Sequence, residues 1–368
     1  MSWEEKAKNF LKEIVEIYSP TGREKTVSLR IASFFKELGF ENIEVDDMWN
    51  VSADVTYGTP TVYLIGHIDT VPGRLPVKYE SGRLYGRGAV DAKAPFATFV
   101  MAAYILREEG FDGGIKVAGV VDEEVSGRGI RRFAERFPKP DYAVFGEPSG
   151  PHHLTLGYKG RVQLTVEIET SSYHASAPWL GPNAFEKALE VYEIAKKTVS
   201  SFDRANRPGF DSISLCITIF KSGESINVTP RNAEFTIDIR IPPYVKAAEI
   251  ARNIESAVIV AGHNVENLKI RVEEVTEAYE IKPNNPLVRA FSRGVYKVLG
   301  RPARLLKKTG TGDMNYYGGV LNVPSLTVGP GNPKLSHTLH EFIDMKEYIS
   351  YVKIVKEALK ELKVISRR

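Results

Sequence analysis

Apolar residues recur at helical spacing over residues 3–18, where Phe10, Leu11, Ile14, Val15 and Ile17 share a face, and over 24–38 through Val27, Leu29, Ile31 and Phe35. Ser19-Pro20-Thr21-Gly22 stops the first of these helices. Short runs of β-branched and apolar residues at 43–45, 51–55 and 61–65 predict strands, and the apolar run at 96–106 predicts a helix. A strand over 115–121, a helix over 126–137 and a strand over 142–145 then alternate. This rhythm predicts a mixed, mostly parallel sheet with flanking helices, an α/β fold whose ligands gather at the carboxyl ends of the strands.

The pattern shifts after Gly157-Tyr158-Lys159-Gly160. Strands at 161–169, 212–221, 232–241 and 268–275 enclose helices at 183–199 and 247–260, in the strand-helix-strand-strand-helix-strand order of a ferredoxin-like α+β unit. A helix over 285–299, a strand over 303–306 and a terminal helix over 346–362 then resume the first pattern. The expectation is a discontinuous α/β domain from residues 1–158 and 275–368, interrupted by an inserted domain at 159–274. A length of 368 residues exceeds the usual single core and agrees with two domains.

Composition narrows the function classes. Lysine and arginine number 49 against 46 acidic residues, a net charge of +3 that is too balanced for a nucleic-acid footprint. Cys216 is the only cysteine, which excludes an intrachain disulfide and a cysteine-based zinc site. No apolar run approaches the ~18 residues of a membrane span. The charged opening Met1-Ser2-Trp3-Glu4-Glu5-Lys6 has no leader character, so a cytoplasmic location is the expectation.

The candidate chemistry starts at Gly66-His67-Ile68-Asp69-Thr70, where the strand over 61–65 runs out. In extended backbone residues two apart point the same way, so His67 can ligate a metal while Asp69 supports it from behind. Acidic residues stand at comparable places: Asp91 in a glycine-broken loop, Asp122-Glu123-Glu124 after one strand and Glu147 after another. His337 lies near the other end in Ser336-His337-Thr338-Leu339-His340-Glu341. Histidines with carboxylates suit Zn²⁺, or alternatively Co²⁺ or Mn²⁺. Each has a plainer reading: Asp122-Glu123-Glu124 as a solvated turn, Glu147 as a loop cap before Pro148, and His340 as competitor to His337. His152, His153 and His263 carry no motif and are expected at the surface or in loops.

Gly-His-x-Asp-Thr-Val-Pro, Gly-Arg-Gly-x-x-Asp-x-Lys, Asp-Glu-Glu, Gly-Glu-Pro-Ser and a late His-x-x-x-Glu occur here in the order found in the M20 metallopeptidase family, which the sequence resembles over nearly its whole length. The resemblance implies two divalent ions bridged by Asp91, with His67 and Glu147 on one and Glu124 and His337 on the other. It also implies Glu123 as general base. His174, in Ser172-Tyr173-His174-Ala175-Ser176, matches a lid histidine that binds the oxyanion in the partner subunit's site. The inserted domain is therefore implied to be both lid and dimerisation module. Asn227 and Arg240 match lid positions that touch substrate, and Thr309, Gly310 and Thr311 match a loop that cradles a substrate carboxylate. The chain departs from the family at His340, where Asn or Asp is usual, and at Gly312, where Ser is usual.

The implied activity is hydrolysis of an N-acyl amide of an amino acid. Within the family the chain is most similar to hydrolases that release lysine or ornithine from an acidic amino-group carrier protein, in lysine and arginine biosynthesis. The runner-up is an N-acetylornithine or N-acetyl-lysine deacetylase, or another deacylase or dipeptidase of the family. The opposing class is a binding protein stapled by metal, against which the intact Glu123 speaks.

Overall fold

Ser2 starts the first helix by a capping box: its hydroxyl accepts the Glu5 amide while the Glu5 carboxylate accepts the Ser2 amide. The computed structural model describes residues 1–261 and 265–366, so His263 lies outside the described residues. Two compact units share the chain, one from Met1–Gly157, Glu280–Lys307 and Gly312–Arg368, the other from Tyr158–Tyr279 and Lys308–Thr311.

The first unit runs through α1 (Trp3–Glu16), α2 (Lys25–Glu37), β1 (Glu41–Val45), β2 (Val51–Thr56), β3 (Thr61–His67), β4 (Lys78–Glu80), β5 (Arg83–Tyr85), α3 (Lys93–Glu108), β6 (Gly114–Val120), α4 (Arg128–Arg136), β7 (Tyr142–Gly146) and β8 (His153–Tyr158). The second holds β9 (Gly160–Glu169), α5 (Ala184–Ser200), β10 (Ser214–Ser222), β11 (Asn232–Ile241), α6 (Ala247–Ala261) and β12 (Asn267–Thr276). Then follow β13 (Tyr279–Glu280), α7 (Pro286–Leu299), β14 (Arg304–Lys308), β15 (Ser325–Val328), β16 (Phe342–Asp344) and α8 (Met345–Ser366).

The main sheet has the order β1-β2-β6-β3-β7-β15-β8, with β13 and β14 beyond β8. Its centre is parallel, β3 pairing with β6 and β7, and β7 with β15. β6 is buried along its whole length and β3 everywhere but its first residue, as strands covered on both faces must be. Helix α3 lies directly on β3 and β7. A Cβ at Gly66 would stand 2.9 Å from Phe96 Cβ, and one at Gly146 2.9 Å from Phe99 Cε2. Both glycines precede residues of the candidate site, so this close packing fixes the strand ends that carry them.

The second unit is an antiparallel sheet of order β10-β11-β9-β12, the ferredoxin-like arrangement. Val162, Leu164, Val166 and Ile168 of β9 share a core with Ala188 and Val191 of α5 and Ile250 and Ile254 of α6. The alternate residues Arg161 and Gln163 pair across to Arg240 and Asp238 on the other face.

Several features depart from the sequence expectation. β15, unread in the sequence, is a four-residue strand buried throughout. His153, expected in a loop or at the surface, opens strand β8 and is half-buried, whereas His152 lies in the turn before it. A small sheet of order β16-β5-β4 was likewise not anticipated. The second unit extends to Tyr279 and includes Lys308–Thr311, residues assigned from sequence to the α/β domain.

Candidate metal centre

His67 is the last residue of β3, Glu123 and Glu124 follow β6, Glu147 follows β7, and Asp91 stands two residues before α3. Parallel neighbours end side by side, so three strands deliver their chemistry to one point. His337 arrives from a turn after Pro333–Leu335, with a left-handed backbone at φ 64°. The structure brings His67, Asp91, Glu124, Glu147 and His337 together. His67 Nε2 lies 3.3 Å from Asp91 Oδ1 and 3.6 Å from Glu147 Oε1. His337 Nε2 lies 3.3 Å from Asp91 Oδ2 and 3.1 Å from Glu124 Oε2. The two oxygens of Asp91 thus face two different donor sets.

The donor atoms of His67, Asp91 and Glu124 lie within 4.8 Å of one another, as do those of His67, Glu123 and Glu147. Such a cluster of carboxylates needs compensating positive charge. Burial disfavours a charged His67, yet Glu147, Asp69, Asp91 and Glu123 raise its pKa well above the ordinary value. Hydrogen bonds that the His337 ring donates to the carboxylates of Asp91 and Glu124 push its pKa up to about 10. Burial opposes ionisation of Asp91, but the two histidines hold its pKa below the ordinary carboxylate value. These are imidazole and carboxylate donors with no thiolate, a set that fits hard or borderline divalent metal ions.

Glu123 is half-buried, and burial together with the charges of Asp313, Glu124 and Asp69 raises its pKa well above the usual range against the opposing pull of His67. A carboxyl tuned upwards is suited to exchange protons near neutrality. Asp313 is pushed up to about 8, by burial first and then by Glu147, Asp69 and Asp122. It directly follows the segment 309–312, and nothing in the sequence singles it out.

The surrounding frame is built from Asp122, Asp69, Glu341 and Arg87, of which the sequence assigns a supporting role to Asp69 alone. Asp122, at φ 62°, takes the Ser126 hydroxyl, the Arg128 amide at 3.2 Å and Arg128 Nε at 3.1 Å, which shapes the turn bearing Glu123 and Glu124. Asp69 is fully buried, and its Oδ1 and Oδ2 accept the amides of Glu123 and Glu124, both at 3.3 Å. Burial works against its charge, but His67, Thr21 and the Glu124 amide hold its pKa down. Glu341 accepts the amides of Val90 and Asp91 at 2.9 and 3.1 Å and pairs with Arg87 Nη1 at 2.9 Å. Arg87 stands inside the Gly-Arg-Gly motif, the one signal that could have pointed to it.

The remaining expected residues belong to the second unit. His174 is exposed, and its Nδ1 lies 2.7 Å from Ser176 Oγ and 3.2 Å from the Ser176 amide, which donates to it. Acceptance at Nδ1 places the neutral ring's proton on Nε2. Asn227 is exposed and its carbonyl accepts the Ala175 amide at 2.8 Å, beside the bridge between His174 and Val228. Arg240 is engaged by Asp238, Nε at 2.7 Å and Nη2 at 3.3 Å. Thr309 and Gly310 are exposed and Thr311 half-buried.

Residues 63–361 match the peptidase family M20/M25/M40. A protein of Pyrococcus furiosus is 37% identical over 363 residues, 98% of each chain. One of Sulfurisphaera tokodaii, named LysW-lysine/LysW-ornithine hydrolase, is 31% identical over 361 residues, 97% of this chain and 96% of that one. Among solved structures, a dinuclear metal-binding M20-family peptidase of Bacillus subtilis superposes with TM-score 0.70 at 14% identity, over 99% of both chains, and so shares the fold. No helix among the described residues is long and apolar enough to cross a membrane.

Proposed function

Because the chain belongs to peptidase family M20/M25/M40 and is a hydrolase of amide bonds, we propose that it releases lysine or ornithine from amide linkage to an amino-group carrier protein, using two divalent metal ions. The observation that carries the two-metal reading is the division of Asp91, Oδ1 towards His67 and Oδ2 towards His337, each at 3.3 Å. A carboxylate so divided suits the bridge between ions about 3.5–4 Å apart. His67 and Glu147 would complete one site, Glu124 and His337 the other. Zn²⁺ fits this donor set first, with Co²⁺ or Mn²⁺ as alternatives.

When bound, the ions supply positive charge that acidifies water and polarises the amide carbonyl. Glu123 takes the proton of the attacking water and delivers it to the leaving α-amine. Burial and the neighbouring carboxylates, which raise its pKa, make Glu123 the stronger acceptor of that proton. His174 would donate from Nε2 to the oxyanion, the tautomer that Ser176 favours. Asn227, Arg240 and the Thr309–Thr311 segment would bind the amino acid, with Arg240 held for that task by Asp238.

The second unit would serve as lid and dimerisation module. In its sheet order β10 is an edge strand, with Ile219 exposed, and Phe185 and Leu189 of α5 are exposed as well. Unpaired edges and apolar faces of this kind favour self-association.

The choice of carrier substrate rests on the relatives' names, and on Arg301 and Arg304, exposed and without an ion pair among the described residues. Lys307 is paired with Glu280 at 2.8 Å and contributes less. The deciding experiment compares kcat/KM on carrier-linked lysine and ornithine with that on free acetylornithine, at low and high salt. Preference for the carrier, weakened by salt, is expected. Preference for acetylornithine would instead make the protein a deacetylase.

A further inference from the structure

The turn between α1 and α2 is stitched to the end of β3. Ser19 Oγ donates to the carbonyl of Ile68 at 2.8 Å, the Thr70 amide to the carbonyl of Ser19 at 3.0 Å, and the Thr21 amide to the carbonyl of Thr70 at 3.2 Å. These contacts bring Thr21 Oγ1 within 2.8 Å of Asp69 Oδ2. The sequence shows this turn only as the stop of a helix.

Asp69 has few other ways to be held. Its Oδ1 accepts the Glu123 amide at 3.3 Å and lies 3.5 Å from His67 Nδ1; its Oδ2 accepts the Glu124 amide at 3.3 Å. Those donors sit on the very pieces that Asp69 aligns. Thr21 is the donor from outside them, and it makes the shortest of these bonds. A carboxylate turns freely about its last torsion unless its oxygens are distinguished, and the Thr21 hydroxyl distinguishes Oδ2.

We propose that Thr21 is a positioning residue of the metal centre, whose hydroxyl fixes the rotation of the Asp69 carboxylate and thereby aligns His67 with Glu123 and Glu124. The inference rests on the reading of this cluster as the metal centre of a hydrolase, and it requires no particular acyl group. Partners of this rank around metal ligands change affinity or activity by about 10–100-fold when removed.

The test compares Thr21→Val, which keeps the shape and removes the donor, with Thr21→Ser, which keeps the donor. Three quantities are measured: Zn²⁺ affinity by chelator competition, kcat and KM separately, and the melting temperature of metal-free protein. For Thr21→Val the expected result is Zn²⁺ binding weakened about 10-fold and kcat lowered by about 10–100-fold at unchanged KM, with both restored in Thr21→Ser. Wild-type affinity and kcat in Thr21→Val would overturn the proposal, as would equal losses in the two variants. If Thr21→Val does not fold, Thr21→Cys carries the same expectation, since a thiol is a weak donor. Should the wild-type protein hydrolyse neither carrier-linked nor acetylated substrate, the proposed function fails, and the Zn²⁺ affinities alone decide the role of Thr21.

Discussion

Glu341 accepts the amide of Asp91 at 3.1 Å from a fully enclosed position, so the bridging candidate is set by a carboxylate 250 residues away in the chain. The other oxygen of Glu341 holds Arg87, which is itself buried. Glu341→Gln turns an amide towards Arg87 and leaves a buried guanidinium uncompensated, a loss on the order of 3–5 kcal/mol. The expected outcome is a lower melting temperature in chelator together with weaker metal binding. An unchanged melting temperature would show that Arg87 finds another partner.

Glu123 and Glu124 are neighbours with separate duties. Glu123→Gln should leave both metals bound and lower turnover by at least ~10²–10⁴, the contribution expected of a general base. Glu124→Gln should weaken metal binding instead. A metal titration that cannot tell the two variants apart removes this division of labour.

The ligand-bearing strand ends were legible because each is an apolar run that gives way, directly or after one glycine, to a charged residue or histidine, as after Ile65, Val121 and Phe145. Strand β15 was not legible: Ser325-Leu326-Thr327-Val328 lies between Pro324 and Gly329, too short to show a period and buried on both faces. Thr21 and Arg87 escaped for another reason. Their roles arise from hydrogen bonds to residues 48 and 254 positions away, which no local pattern encodes. The chain segment Lys308–Thr311 likewise joins the second unit by long-range contacts rather than by composition.

Metal uptake should release protons. His67 and His337 carry raised pKa values in the metal-free protein, His337 at about 10, and each must be neutral to ligate. Apparent Zn²⁺ affinity should therefore rise with pH between the ordinary histidine value and about 10. The sign for stability is opposite: folded values above the unfolded one stabilise metal-free protein below about pH 6.5, and this contribution is lost as pH rises through about 10. Calorimetry in buffers of different ionisation enthalpy measures the protons, and chelated protein melted across the same range measures the stability. Affinity that is flat from pH 6.5 to 9 would contradict both histidine assignments.

Loss of metal tests the ligand set as a whole. Four donors that share Asp91 should bind two ions per chain, so prolonged chelation should abolish hydrolysis and Zn²⁺ or Co²⁺ should restore it. A stoichiometry that never exceeds one ion at saturation, or full activity in metal-free protein, would dismiss the bridged arrangement and leave Asp91 as a ligand to a single ion.

His174 supplies the remaining group of the proposed site, and it stands in the second unit, with its ring presented to solvent and its Nδ1 occupied by Ser176. If the unit pairs two copies through β10, His174 of one chain would complete the centre of the other. His174→Ala and Glu123→Ala should each be inactive alone. Mixed after dissociation, they form hybrid dimers in which one of the two sites has both groups intact. Random pairing makes half the dimers hybrids, so roughly a quarter of wild-type activity should return. Ser176→Ala removes the hydroxyl but keeps the backbone amide that donates to Nδ1, so the tautomer and kcat should stay close to wild type. Full activity in a strictly monomeric wild-type preparation, or no recovery in hybrids whose formation is verified by mass, would place the oxyanion donor within the same chain.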